Sequence, residues 1–151
     1  MTPASWSRRA RPRRADALLR LPPTPRPGVR TGVDLVDVAR LERLLARRGP
    51  AVVATLLTDA ERADCEADVR RVANRLAAKE ATAKALGTGI GAVGWHDVEV
   101  VTGPCGRPDL RLHGPAAARA RRLGLTSWSL SLTDDGGRAL AAVVASGRGP
   151  R

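Results

Sequence analysis

Between residues 69 and 86 small apolar side chains recur at helical spacing, and the run halts at Gly87-Thr88-Gly89-Ile90-Gly91. Glycine enters left-handed backbone space without a steric penalty, so this stretch ends a long helix in a loop. At about 100° per residue from Val72, Ala83 falls near about 20°, Leu76 about 40°, Ala73 about 100° and Ala77 about 140°. Glu80 lands at about 80°, in the middle of that stripe. Arg71, Arg75, Lys79 and Thr82 fall on the other side and are expected to form its polar, solvated arc. A carboxylate among apolar neighbours must be paired, protonated or bound to a metal, because an isolated buried charge is prohibitively costly. The bland alternative is a solvated Glu80 to Lys84 pair at i, i+4, worth about a few tenths of a kcal/mol.

Asp34 is the second suspect, a charge inside the strand pattern Val33-Asp34-Leu35-Val36, where aspartate is disfavoured. An edge-strand position, or a carboxylate serving the next helix N-terminus, would also explain it. Two inward carboxylates on different elements, without His or Cys nearby, suit Mg²⁺ better than zinc, since Mg²⁺ completes its octahedron with water and substrate phosphate oxygens. Lys84 shares the face of Glu80 and could neutralise those phosphates. Cys65 and Cys105 have neither the spacing of a zinc site nor that of a disulfide framework.

The remaining pattern predicts an α+β fold. A strand over 29–36 runs into a helix from Asp37 to about Arg48, where Val38, Leu41 and Leu45 repeat and Gly49-Pro50 stops it. Thr58 with Glu61 is a capping-box pair opening a short helix to about residue 67. Beyond the glycine loop, strands are expected over 95–102 and 110–113, a helix over 115–123, and a hairpin of strands 126–132 and 138–145 turning through Asp134-Asp135-Gly136-Gly137. Together these make a single domain over 29–147, one small antiparallel sheet carrying the long helix, with 148–151 as a flexible C-terminus.

Net charge narrows the partners. Residues 1–30 carry eight arginines against one aspartate, so +7 of the formal +11 belongs to that segment and only +4 to the rest. With six prolines, 1–28 reads as a disordered Arg/Pro-rich tail. It has no apolar h-region, and no run approaches the roughly 18 apolar residues of a membrane span. The expected compartment is cytoplasmic, with no membrane partner. Phe and Tyr are absent and only Trp6, Trp95 and Trp128 are aromatic, so stacking platforms for nucleic acid are lacking. A basic nucleic-acid-binding protein is the rival class, and it lacks a recognition motif. On the helix after Asp34, Arg40, Arg43 and Arg47 lie within an arc of about 60°. That arc is either plain solvated surface or a dock for an acidic helix or nucleic acid.

The order of motifs carries a family resemblance. Gly32-Val33-Asp34-Leu35-Val36-Asp37-Val38-Ala39-Arg40 resembles the G-x-D-[IL]-V-[ED]-[IV]-x-R opening of holo-acyl-carrier-protein synthases, the small 4′-phosphopantetheinyl transferases. Residues 75–90 are similar to their R-F-A-x-K-E-A-x-x-K-A-[LF]-G-T-G-[IL] motif, with Leu76 in place of Phe. Val98-Glu99-Val100 and Gly106-Arg107-Pro108-Asp109-Leu110-Arg111-Leu112-His113-Gly114 resemble the later segments. The resemblance spans about 29–146.

It implies the phosphopantetheinyl transferase fold and transfer of the 4′-phosphopantetheine arm of coenzyme A to a serine of an apo acyl carrier protein, with Mg²⁺, in support of fatty-acid or polyketide synthesis. It further implies that Asp34 and Glu80 hold the metal, that Lys84 contacts phosphate, and that Gly87, Thr88 and Gly89 line the nucleotide end of coenzyme A. The helix begun at Arg40 would receive the acidic carrier helix, and the chain would form a homotrimer with active sites between subunits. Many members carry S-x-S-H where this chain has Ser129-Leu130-Ser131-Leu132, so the 3′-phosphate contact made by that His would fall to a nearby arginine. A catalytically silent homologue acting as an interaction module is the remaining alternative.

Overall fold

The computed structural model describes residues 28–148; the expected tail and the last three residues lie outside them. Strand β1, Gly28–Asp37, leads into α1, Val38–Arg48, then α2, Ala51–Leu56, α3, Asp59–Cys65, and the long α4, Val69–Ala85. Strands β2, Val98–Thr102, and β3, Pro108–Leu112, follow, then α5, Gly114–Arg122, and the strands β4, Leu125–Asp135, and β5, Arg138–Gly147. The class is α+β as expected, but the strands form two antiparallel sheets, one of order β1-β5-β4 and a separate β2-β3 pair.

Local differences from the sequence pattern have local causes. Residues 95–97 turn as a 3-10 helix, because Asp97 Oδ2 accepts from the Gly94 N–H at 2.7 Å and closes that turn before β2 begins. Pro50 starts α2 instead of merely stopping α1, as proline suits a helix beginning, where no N–H is needed. Asp134 and Asp135 belong to β4, leaving Gly136 and Gly137, both at positive φ, as the two-residue hairpin turn.

Helix α4 lies against β1 and β5 and also meets β2, β4, α1 and α3. Its alanines make this possible. Ala77, Ala78, Ala81 and Ala85 pack on Leu130, Ala141, Val143 and Val100, so the core gains contact by close approach where bulky aromatics are missing. The closest approach is at Gly32, where a Cβ would stand 1.8 Å from the Ala81 carbonyl oxygen and 2.9 Å from the Ala85 nitrogen.

Of the expected solvated arc of α4 only Arg71 is exposed. Lys79 and Thr82 are fully buried and Arg75 nearly so, because α3 and β2 cover that side and bring carboxylates to it. Lys79 Nζ lies 2.6 Å from Glu61 Oε2 with both side chains inaccessible, and it also donates to the Trp95 carbonyl at 2.7 Å. Glu61 accepts in addition from the Thr58 N–H at 2.9 Å, closing the capping box of α3, and from the Val100 N–H at 2.8 Å. Burial pushes the Lys79 ammonium below its ordinary pKa, and Glu61 opposes that shift. Removing one partner of such a pair typically costs about 3–5 kcal/mol, since the other charge stays buried alone. Arg75 pairs with Asp64 and reaches Thr102 Oγ1 at 3.4 Å. Among the described residues, no helix is long and apolar enough to cross a membrane.

Replacing Gly32 by alanine is expected to force β1 and α4 apart and to cost at least about 3 kcal/mol of unfolding free energy. Urea denaturation measures this; a variant within about 0.5 kcal/mol of the parent, the range of a neutral surface change, would contradict the contact.

Candidate active site

Because side chains alternate along a strand, Asp34 follows Gly32 on the side of β1 that meets α4. Its carboxylate is largely enclosed, at 13% side-chain exposure, and accepts from Lys84 Nζ at 2.8 Å. Lys84 Nζ also donates to the Val33 carbonyl at 3.0 Å. Glu80 stands one helical turn before Lys84, half-buried, and its charge acts on the same ammonium. The hydrogen bond from Lys84 to Asp34 is the main cause holding the lysine above its ordinary pKa, against a smaller desolvation effect. The structure thus brings Asp34, Glu80 and Lys84 into one cluster, although Glu80 is flanked by buried residues on a helix buried almost all round, not set in a lone apolar stripe.

The loop at the end of α4 stands beside this cluster. Gly87, at φ +71°, reverses the chain and its N–H donates to the Lys84 carbonyl at 2.9 Å. Thr88 Oγ1 donates to the Ala83 carbonyl at 3.2 Å, and Gly89 also takes positive φ, so the loop folds back over the last turn. On the other flank, Asp37 caps α1 by accepting from the Arg40 N–H at 2.8 Å. The helix-capping carboxylate is therefore Asp37, which leaves Asp34 for the cluster. Val38 and Leu41 bury the inner face of α1, while Arg40, Arg43 and Arg47 are exposed.

The donor set bears on a metal. Among the described residues no group of three or more His, Cys, Asp and Glu side chains could hold an ion. Two carboxylates on adjacent elements, one of them already drawing a cation, are an all-oxygen partial set of the kind Mg²⁺ accepts with water and phosphate. Leu132 is half-buried against the core opposite Ala141, and a leucine there offers phosphate nothing.

Residues 30–143 match the model of the 4′-phosphopantetheinyl transferase superfamily. This chain belongs to that superfamily. A holo-[acyl-carrier-protein] synthase from Frankia casuarinae is 53% identical over 117 residues, covering 78% of this chain and 96% of the relative. The crystal structure of the synthase from Neisseria meningitidis superposes with a TM-score of 0.71 at 35% identity, over 78% of this chain and 97% of that one. The Helicobacter pylori synthase, solved in complex with coenzyme A, gives 0.70 at 30% identity, over 77% and 99% of the two chains.

Within this transferase fold the spacing of residues shows Glu61 as a cap but not its second bond, to Lys79, because periodicity records polarity and not partners. Arg30 lies in β1, inside the strand expected over 29–36.

Lys84 carries the sign of its contact. A folded pKa above the ordinary lysine value means that the stabilisation is complete below that value and is lost as pH rises through the folded one. In Asp34→Asn the Lys84 titration, followed by NMR of its side-chain nuclei, is expected to move down toward the ordinary range. An unshifted midpoint would show that Asp34 does not hold the lysine.

Proposed function

We infer that this chain transfers the 4′-phosphopantetheine arm of coenzyme A to a serine of an apo acyl carrier protein and releases adenosine 3′,5′-bisphosphate. The observation that carries this reading is the meeting of Asp34, Glu80 and Lys84 beside a glycine-ended helix, in a chain of the transferase superfamily. Asp34 and Glu80 are the residues that would hold Mg²⁺. Bound there, the ion would offset negative charge on the diphosphate during displacement.

Lys84 steadies the diphosphate as a point charge. Gly87, Thr88 and Gly89 receive the nucleotide end, where small residues let the backbone approach closely. The carrier serine oxygen attacks the β-phosphorus, the bond from that phosphorus to the bridging oxygen breaks, and the electron pair leaves with adenosine 3′,5′-bisphosphate. The two carboxylates are the bases the cluster offers for the serine proton.

Arg40, Arg43 and Arg47 form the dock for an acidic carrier helix. Since α1 starts four residues after Asp34, a carrier bound there delivers its serine close to the cluster. A homotrimer belongs to the same reading. It is supported by the outer face of the larger sheet, where Val29, Val33, Leu35 and Val144 are between 45% and 59% exposed, an apolar surface that association would cover. A cytoplasmic setting fits a donor and a carrier that are both water-soluble, and the product serves fatty-acid or polyketide synthesis.

Incubation with coenzyme A, Mg²⁺ and apo carrier proteins from both kinds of pathway tests this, with the carrier weighed by mass spectrometry. One phosphopantetheine adduct per carrier is expected, at a rate that falls as salt screens the docking arginines. No adduct on any carrier would overturn the assignment.

A further inference from the structure

Two ridges of helix α4 repeat every four residues. Ala73, Ala77, Ala81 and Ala85 form one, all of them buried, and Ala81 and Ala85 are the pair that meets Gly32. Arg71, Arg75 and Lys79 form the other. Each pairs with a carboxylate of α3 or of the link that follows it: Arg71 with Glu66 and Asp68, Arg75 with Asp64, and Lys79 with Glu61. Residues four apart lie along one ridge of a helix, so a slide of one turn, about 6 Å, replaces each by its counterpart four positions earlier. Ala77 and Ala81 would then meet Gly32, Arg71 would meet Asp64, and Arg75 would meet Glu61. Neither the alanines nor the sign of the charges distinguishes the two registers.

The link into α4 does not favour the observed register either. Glu66 and Ala67 take positive φ, 49° and 61°, a left-handed backbone that is unfavourable for residues other than glycine. What differs between the registers is the slot around Glu61. Both side chains of the pair are inaccessible there, with Lys79 Nζ 2.6 Å from the carboxylate and 2.7 Å from the Trp95 carbonyl. Glu61 also accepts from the Thr58 and Val100 N–H groups. A compact ammonium on a flexible stem suits that slot. The broad guanidinium of Arg75 would bring five donors to the same few acceptors.

The register decides where the cluster stands. Glu80 follows Lys79 in the helix, and Lys84 lies five residues after Lys79, 2.8 Å from Asp34. After a slide of one turn Glu80 would take the place of Lys84, carboxylate against carboxylate, and Lys84 would move by about 6 Å. We propose that Lys79 is a positioning residue, whose buried pairing with Glu61 selects the register of α4 and thereby places Glu80 and Lys84 at Asp34. The register stands on packing and charge alone; the chemistry of the three placed side chains rests on the transferase reading.

Nuclear Overhauser contacts in the isotopically labelled full chain read the register directly. In the parent the Gly32 α-protons are expected to contact the Ala85 amide proton, since a Cβ on Gly32 would lie 2.9 Å from the Ala85 nitrogen. Two variants are compared, Lys79→Met and the double variant Glu61→Gln/Lys79→Met, which leaves no unpaired charge in the slot. In both, a contact to the Ala81 amide proton should appear, one turn away, as that to Ala85 fades. Coenzyme A, measured by calorimetry with Mg²⁺, should bind each about tenfold more weakly, the factor expected when about a tenth of the molecules hold the competent register. Leu57→Ala, which empties a buried position outside both ridges, should lower the urea midpoint yet keep the parental contacts and affinity. Parental contacts in both slot variants would overturn the proposal. So would loss of the folded state in both, since the pair would then supply stability and not register. A changed register with unchanged affinity, or a parent that binds no coenzyme A, would sink the transferase reading alone.

Discussion

The contact between β1 and α4 at Gly32 sets the rest of the site. With 1.8 Å between the Ala81 carbonyl oxygen and the place a Cβ would take, only glycine lets the strand lie this close to the helix. That closeness puts Asp34, two residues on, within 2.8 Å of a lysine one turn past Glu80. It also aligns Arg30 with the loop at Gly87. The alanines of α4 serve the same end from the helix side, since each larger side chain there would hold the sheet away.

Adjacent residues of α4 meet opposite fates. Lys79 is sealed against Glu61, Trp95 and the capped end of α3, while Glu80 faces the cluster and keeps part of its surface in water. The buried pair acts as a clamp among α3, α4 and β2, because Glu61 answers two backbone N–H groups and one ammonium at once. A half-satisfied version would be worse than an apolar core.

Much of this was legible in the sequence where a residue's own chemistry decides its place. The glycine run stopped α4 as its backbone demands, Thr58 and Glu61 capped α3, and β1 ran straight into α1. Periodicity failed on Arg75, Lys79 and Thr82, which read as a solvated arc and are buried, because their partners Glu61, Asp64 and Trp95 are distant in the chain. The emphasis on Glu80 drew on a contrast of faces that α4 does not have, and its place in the cluster comes from Asp34 across the strand contact. Arg30, inside the strand expected over 29–36, pairs opposite Ala145 in the sheet. The architecture is thus written in local signals, and the electrostatics in contacts between elements.

Charge is divided within the site: two carboxylates at the centre, arginines on α1 to one side and at Gly87 to the other. A phosphate-rich donor and an acidic carrier can approach from opposite flanks and meet over the two carboxylates, the place where we propose that a cation binds. The central claim is that Asp34 and Glu80 share that cation. It is tested most directly by titrating Mn²⁺, as a stand-in for Mg²⁺, into the protein with coenzyme A and counting free Mn²⁺ by electron paramagnetic resonance. One Mg²⁺-displaceable Mn²⁺ per chain is predicted, with affinity lowered by about tenfold or more, the loss of one charged oxygen ligand, in Asp34→Asn and in Glu80→Gln. Parental affinity in either variant would contradict the account.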